Sequence, residues 1–331
     1  MDLTNPQVEK TAIMMNGASH DFGDGAGIFD IDLTIEGGSI LGIIGPSGCG
    51  KTTMIRMING ILDATSGEVK VFGKDPTTFN ANEKTRIGYI PQHFILYKNL
   101  NVEENMHFVG GIFGMSTDER NEKIQPLLEF VDLLDARKRL ARQLSGGMQR
   151  RLMLAGALLH TPDILIADEP TAGIDPILRA RIWENFRELR DQGKTLLVTT
   201  QYVGEAAYCD QVAVMRKGRL LTVDTPKGLQ NSAMGGEVIH LQVQENQILE
   251  SMQFLKDLHG VLRVEMTPGE SDGIFVFVDN AREMLQYVLT NLKETKDISP
   301  RIAEPYLPPF DEVFVKLIKD SEKNQTMEAL A

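Results

Sequence analysis

The chain has 331 residues, 46 acidic against 34 basic, a net charge of −12 and two cysteines. That length holds two domains and a sizeable core, while two cysteines make no disulfide framework and an acid excess repels nucleic acid and anionic lipid. No apolar run approaches the roughly 20 residues needed to cross a bilayer, and no leader-like segment precedes Met14-Met15, so the cytoplasm is the expected compartment.

Residues 8–90 alternate strands and turns. Ser39–Ile44 reads as a short buried strand and Thr53–Leu62 as a helix with Met54, Ile55, Met57, Ile58 and Ile61 on its apolar side. Between them lies Gly45-Pro46-Ser47-Gly48-Cys49-Gly50-Lys51-Thr52-Thr53, a complete phosphate-binding loop in the strand–loop–helix context such a loop requires. Gly45, Gly48 and Gly50 let backbone N–H groups turn inward, and the helix N-terminus adds partial positive charge. Lys51 reaches the β/γ-phosphate oxygens, and the Thr52 hydroxyl is a ligand for Mg²⁺. Cys49 is either a small filler of a tight loop or a thiol acidified by the helix N-terminus. Ser66-Gly67 marks a turn before a strand at Glu68–Phe72.

Residues 93–160 lose strand patterning and read as helices over Val102–Phe113, Asp118–Val131 and a third that opens at Leu144-Ser145-Gly146-Gly147-Met148-Gln149 and runs to about His160. Ser145, Gly146 and Gly147 put free N–H groups and a helix N-terminus at a second anion-binding position that has no lysine. Ile164–Ala167 is a short apolar run, a buried parallel strand that delivers Asp168 and Glu169 at its carboxyl end, where ligands of open α/β sheets bind. Asp168 can hold Mg²⁺ through water and Glu169 can polarise an attacking water; the bland alternative is two acids ending a strand. Asp175-Pro176 is an N-cap and first residue for a helix over Ile177–Arg190, and Thr195–Thr200 is a further strand, followed by Gln201.

Beyond Gln230 the pattern changes. Residues 231–236 (Asn-Ser-Ala-Met-Gly-Gly) read as a linker. Then follow Glu237–Val243 (strand), Ile248–Leu258 (helix), Val261–Met266 and Ile274–Val278 (strands), Ala281–Leu292 (helix) and Ile298–Ala303 (strand). That βαββαβ order predicts a small ferredoxin-like α+β sandwich over 237–331. Residues 231–331 carry 17 acidic against 9 basic residues, most of the chain's excess negative charge.

The phosphate loop, the Leu-Ser-Gly-Gly-Met-Gln helix start and the apolar strand ending in Asp168-Glu169-Pro170 together resemble the ATP-binding subunits of ABC transporters, fully over about the first 225 residues and more loosely beyond. The resemblance implies an α/β phosphate-loop ATPase domain over 1–230 with a helical subdomain at about 93–160. It implies ATP and Mg²⁺ as ligands, with each ATP sandwiched between the loop of one subunit and Ser145, Gly146, Gly147 and Gln149 of a second, most simply in a homodimer. It also places Phe22 on the adenine face and Gln92 on Mg²⁺ and the attacking water. Asp175 falls on the loop running between the two sites. Where the family most often has a γ-phosphate-contacting histidine this chain has Gln201, which cannot titrate but can still donate a hydrogen bond.

The family's partner is a transmembrane permease that inserts short helices into the helical subdomain; the stretch His93–Met106 would receive it, through Phe94, Tyr97 and Leu100, which serve equally well as core. Such a subunit sits on the inner face of the membrane through its permease. Thr-Thr-Gln201-Tyr202-x-x-Glu205-Ala206 and the closing residues 305–317 (Pro-Tyr-Leu-Pro-Pro-Phe-Asp-Glu-Val-Phe-Val-Lys-Leu) resemble the drug-resistance exporter branch, although Pro309 and Phe310 depart from its usual ending. Acidity argues against the DNA-repair relatives of this ATPase. The competing reading is a soluble regulatory protein in which ATP-gated dimerisation acts on a partner outside the membrane.

Overall fold

The computed structural model describes residues 10–330, with side chains for 10–321. It divides after Asp224 into two compact units. In the first, β1 (Thr11–Gly23) and β2 (Ala26–Glu36) form a hairpin closed by Asp24 and Gly25. Both turn residues have positive φ, 52° and 77°, the condition for a tight hairpin turn matched to strand twist. β3 (Ile40–Ile44) feeds the glycine loop and α1 (Lys51–Ile58), and β4 (Ser66–Val71) returns to pair with β1. The strands order as β2-β1-β4 in an antiparallel sheet.

A short α2 (Ala81–Lys84) leads to β5 (Ile87–Ile90), and the helical excursion follows as α3 (Val102–Ile112), α4 (Thr117–Phe130) and α5 (Gly146–Leu158). Each start is written locally: Asn101 with Glu104, and Ser116 with Glu119, exchange side-chain and backbone hydrogen bonds as capping boxes. The chain then runs through β6 (Ile164–Asp168), α6 (Pro176–Asp191), β7 (Thr195–Thr200), β8 (Gln211–Arg216) and β9 (Arg219–Asp224). The main sheet orders as β5-β6-β7-β3-β8-β9, parallel except for β9.

Met54, Ile55 and Ile58 of α1 are fully buried in one cluster with Ile13, Ile31 and Ile35 of the small sheet and Leu41, Ile43, Ile166 and Leu197 of the large one. That apolar stripe clamps α1, and the loop before it, between two sheets. Truncating Ile55 to Ala would cost about 2–5 kcal/mol.

The second unit begins with α7 (Pro226–Met234), so Asn231–Met234 are helical rather than a linker. Thr225 caps this helix, Pro226 is its first residue, and Gly235 (φ 73°) ends it in the left-handed conformation. The polar composition of Asn231-Ser232 misled; the cap upstream was the better signal. There follow β10 (Glu237–Gln242), α8 (Ile248–Lys256), β11 (Val261–Met266), β12 (Gly273–Val278), α9 (Ala281–Lys296), β13 (Ile302–Tyr306) and α10 (Phe310–Leu330).

The strand order β11-β12-β10-β13, antiparallel throughout, is the ferredoxin-like order that the βαββαβ pattern predicts. The last strand starts four residues later than expected. Asp297 (φ 54°) ends α9, and Ile298 turns back into the core, its N–H bonded to Leu292 O. Pro305 is tolerated because β13 is an edge strand.

Candidate functional site

β3, β6 and β7 lie side by side and in parallel, with Ile44 opposite Thr200 and Asp168 opposite Thr199. Their carboxyl ends therefore release Gly45, Glu169 and Gln201 along one edge. Pro46, Ser47 and Gly48 crown the loop in solvent, while Gly45 and Cys49 are buried beneath them. Two glycines are obligatory for different reasons. A Cβ on Gly45 would lie 2.3 Å from Met215 O, and Gly50 holds φ 112° at the start of α1.

Lys51 is 5 % exposed. Its ammonium donates to Gly45 O at 2.8 Å and Pro46 O at 3.2 Å, and lies 3.5 Å from Glu169 Oε1. These are charge-assisted bonds, and they hold the ammonium at the mouth of the loop. Beside it, Thr52 donates its hydroxyl to Asp168 Oδ2 at 3.0 Å. Thr53 is half-buried in the first turn of α1.

Asp168 and Glu169 are aimed by a residue the sequence did not single out. Thr199 is fully buried; its hydroxyl donates to Asp168 Oδ1 at 2.6 Å and accepts from the Glu169 N–H at 3.0 Å. Glu169 carries φ 47°, a left-handed conformation that L side chains rarely adopt and that clusters at functional positions. Gln92 donates from Nε2 to Glu169 Oε2 at 2.9 Å, which completes a group of five: Lys51, Thr52, Asp168, Glu169 and Gln92. Arg150, also unforeseen, donates from α5 to Pro91 O at 3.2 Å, one residue before Gln92. Burial lowers its guanidinium pKa, against the pull of Glu169 and Asp168.

The remaining predicted residues are not gathered into that group. Ser145 caps α5 through Met148 N, and Gly147 packs so closely under Leu178 that a Cβ would lie 2.0 Å from its Cδ2. Gly146 stands free of such crowding. Gln149 donates inward to Ala141 O at 3.2 Å, so its amide braces the turn before Ser145. Asp175 caps α6 through Leu178 N. Phe22 is 55 % exposed, its ring at a steep angle to that of His20. Gln201 is exposed at the end of β7. Cys49 does not carry an acidified thiol: burial raises its pKa, outweighing Lys51 and backbone hydrogen bonds that lower it. It is the small filler.

On the helical side, a groove of about 460 Å³ is lined by Ile95, Leu96, Tyr97, Phe108, Ile112 and Phe113 among others. Tyr97 is on its wall; Phe94 and Leu100 are half-buried and outside the lining. The segment is held by Asn105, fully buried, whose amide bonds to Tyr97 N and to the carbonyls of Tyr97, Leu100 and Asn101.

A glycine loop opening a helix, one buried ammonium and two buried acids gathered at the carboxyl ends of parallel strands suit one kind of ligand, and the chain falls in the class of phosphate-loop nucleoside-triphosphate binders. The family model described as ABC transporter matches residues 28–172. The daunorubicin resistance ATP-binding protein DrrA3 of Streptomyces coeruleorubidus is 33 % identical over 323 residues, 95 % of this chain and 98 % of that protein. The chain belongs to the ABC transporter ATP-binding family.

It is also 36 % identical over 228 residues to the probable multidrug ABC transporter ATP-binding protein YbhF of Escherichia coli (strain K12), a match spanning 69 % of this chain and 39 % of that protein. Among solved structures, cbiO1 from Clostridium perfringens, part of the ABC transporter complex cbiONQ, superposes with a TM-score of 0.62 at 27 % identity, over 67 % of this chain and 91 % of that one.

Proposed function

We propose that this chain hydrolyses ATP as the motor subunit of an ABC exporter, working as a homodimer against a separate membrane permease. The group Lys51–Thr52–Asp168–Glu169–Gln92 supports the reading most strongly. Lys51 binds the β/γ-phosphates in exchange for its loop carbonyls, and Phe22 stacks on the adenine. The hard oxygens of Thr52 and Asp168 fit Mg²⁺, a cation that keeps waters and takes few carboxylates. Bound there, it neutralises developing phosphate charge. Glu169 takes the proton of the attacking water, and Gln92 orients that carboxylate. Gln201 donates to the γ-phosphate without exchanging protons.

The second half of the site is Ser145–Gly147 of the other copy. Its amides suit an anion but lack a cation of their own, so it completes a neighbour's nucleotide rather than binding one alone. The groove beside Tyr97 and Phe108 is concave and apolar, and Pro91 on its wall directly precedes Gln92, which favours docking of a permease helix there. No helix among the described residues is long and apolar enough to cross a membrane; the place proposed for the chain is the inner face of the membrane, held there by the permease. The relatives named for multidrug and daunorubicin resistance favour export; cargo choice belongs to the permease.

Glu169→Gln removes the base and keeps the shape. Steady-state hydrolysis should fall by about 10²–10⁴-fold while ATP still binds. Turnover equal to the wild type would mean that Glu169 is not the base.

A further inference from the structure

Arg179, Tyr202 and Glu205 form a cluster that the reading above leaves unused. Arg179 lies four residues beyond Asp175, one turn into α6. Tyr202 follows Gln201 directly, and Glu205 sits in the tight turn Val203–Tyr208. The Arg179 guanidinium stacks 4.0 Å over the Tyr202 ring, its Nη2 reaches back to Ile174 O at 3.5 Å, and its Nε lies 3.5 Å from Glu205 Oε1.

Glu205 is 2 % exposed and neither carboxylate oxygen accepts a hydrogen bond among the described residues. A charge so buried is tolerated only beside its counter-charge, and here that is Arg179. The same helix face repeats the contact below. Trp183 stacks on Tyr208 with ring centroids 5.3 Å apart, and Arg187 lies 5.4 Å over the same ring. Residues 179, 183 and 187 are thus one stripe of α6 laid along the turn 202–208.

We propose that this stripe is a strut: the Arg179–Glu205 pair, with Tyr202 between, makes the Asp175 loop and the Gln201 loop move as one body and sets where the Gln201 amide stands. The argument has two parts. Moving the Gln201 loop away from α6 would leave Glu205 buried without its cation, so separation is costly. The Tyr202 N–H is bonded to Thr200 Oγ1 and the Glu205 N–H to Tyr202 O, so the short segment 200–205 cannot absorb such a shift within itself. Arg179 and Glu205 are positioning residues; they touch no reacting atom.

The proposal rests on the reading that Gln201 acts at ATP, and Glu169→Gln tests that reading independently. The test of the strut is Glu205→Gln, which keeps volume and removes the charge, alongside Arg179→Lys, which keeps charge and loses the planar stacking. Each is assayed alone and on a Gln201→Ala background, with ATP binding and thermal unfolding measured in parallel. A misplaced amide predicts that kcat falls roughly 10- to 100-fold in Glu205→Gln while KM for ATP stays within about threefold, because the Lys51 loop is untouched.

On the Gln201→Ala background the same change should cost nothing further, since the group it positions is gone. A merely structural role would instead slow both backgrounds equally. Wild-type kcat in Glu205→Gln, equal loss on both backgrounds, or a Gln201→Ala enzyme as fast as the wild type would each overturn the strut. Turnover retained by Glu169→Gln would instead overturn the hydrolytic reading.

Discussion

Gln201 gives the sharpest test among single side chains. It emerges from β7 on the same edge as Glu169, and its amide can donate but never shuttle a proton. Gln201→Ala should therefore slow phosphate release clearly, whereas Gln201→His, which restores a donor at that position, should be tolerated. Equal release rates for wild type and Gln201→Ala would remove its role. Lys51, Thr52, Asp168, Glu169 and Gln92 were legible in the sequence because each sits in a short motif fixed to a strand's carboxyl end. Thr199, Arg150 and Asn105 were not. Thr199 matters because parallel register puts it opposite Asp168, 31 residues away in the chain, and Arg150 because α5 folds against a carbonyl 59 residues earlier. Neither pairing leaves a local pattern.

Helix ends were legible where caps are chemical, as at Ser116 and Asn101, and illegible where composition misleads, as at Asn231 in α7. The end of α5 carries a pH-sensitive contact. His160, just beyond the helix, stacks on Phe113 with centroids 3.7 Å apart, and its Nε2 lies 3.1 Å from Ile87 O. Burial lowers its pKa from 6.5 to about 4. The folded protein thus resists a proton that the unfolded chain accepts. The stability this contributes is full above pH 6.5 and is lost as pH falls from 6.5 towards 4. Urea unfolding at pH 7 and pH 5 should show a drop in midpoint, and His160→Gln, which keeps a donor and cannot titrate, should show a smaller one. An equal drop in the variant would contradict the assignment.

The two units have separate cores, one built on Ile31, Ile55 and Leu197, the other on Ile239, Val276 and Val288. That division, and the ferredoxin-like order of the second unit, could be read from strand and helix periodicity. The boundary could not, because Thr225-Pro226 opens a helix that belongs to the later unit. In the reading proposed here, ATP binds at the loop of the first unit. At 100 times its dissociation constant it should add about 2.7 kcal/mol to that unit and nothing to the second. Scanning calorimetry should then show only the transition of residues up to Asp224 moving upward with ATP. A matching rise in the other would mean that the second unit senses nucleotide.

Most direct is the mass of Glu169→Gln in solution, measured by light scattering with and without ATP and Mg²⁺. With hydrolysis blocked, Lys51 of one copy and Ser145–Gly147 of its partner should hold the nucleotide between them. The mass should then be twice the 36.8 kDa of one chain with ATP and a single chain without it. A variant that binds ATP stoichiometrically yet stays at one chain's mass would contradict a shared site.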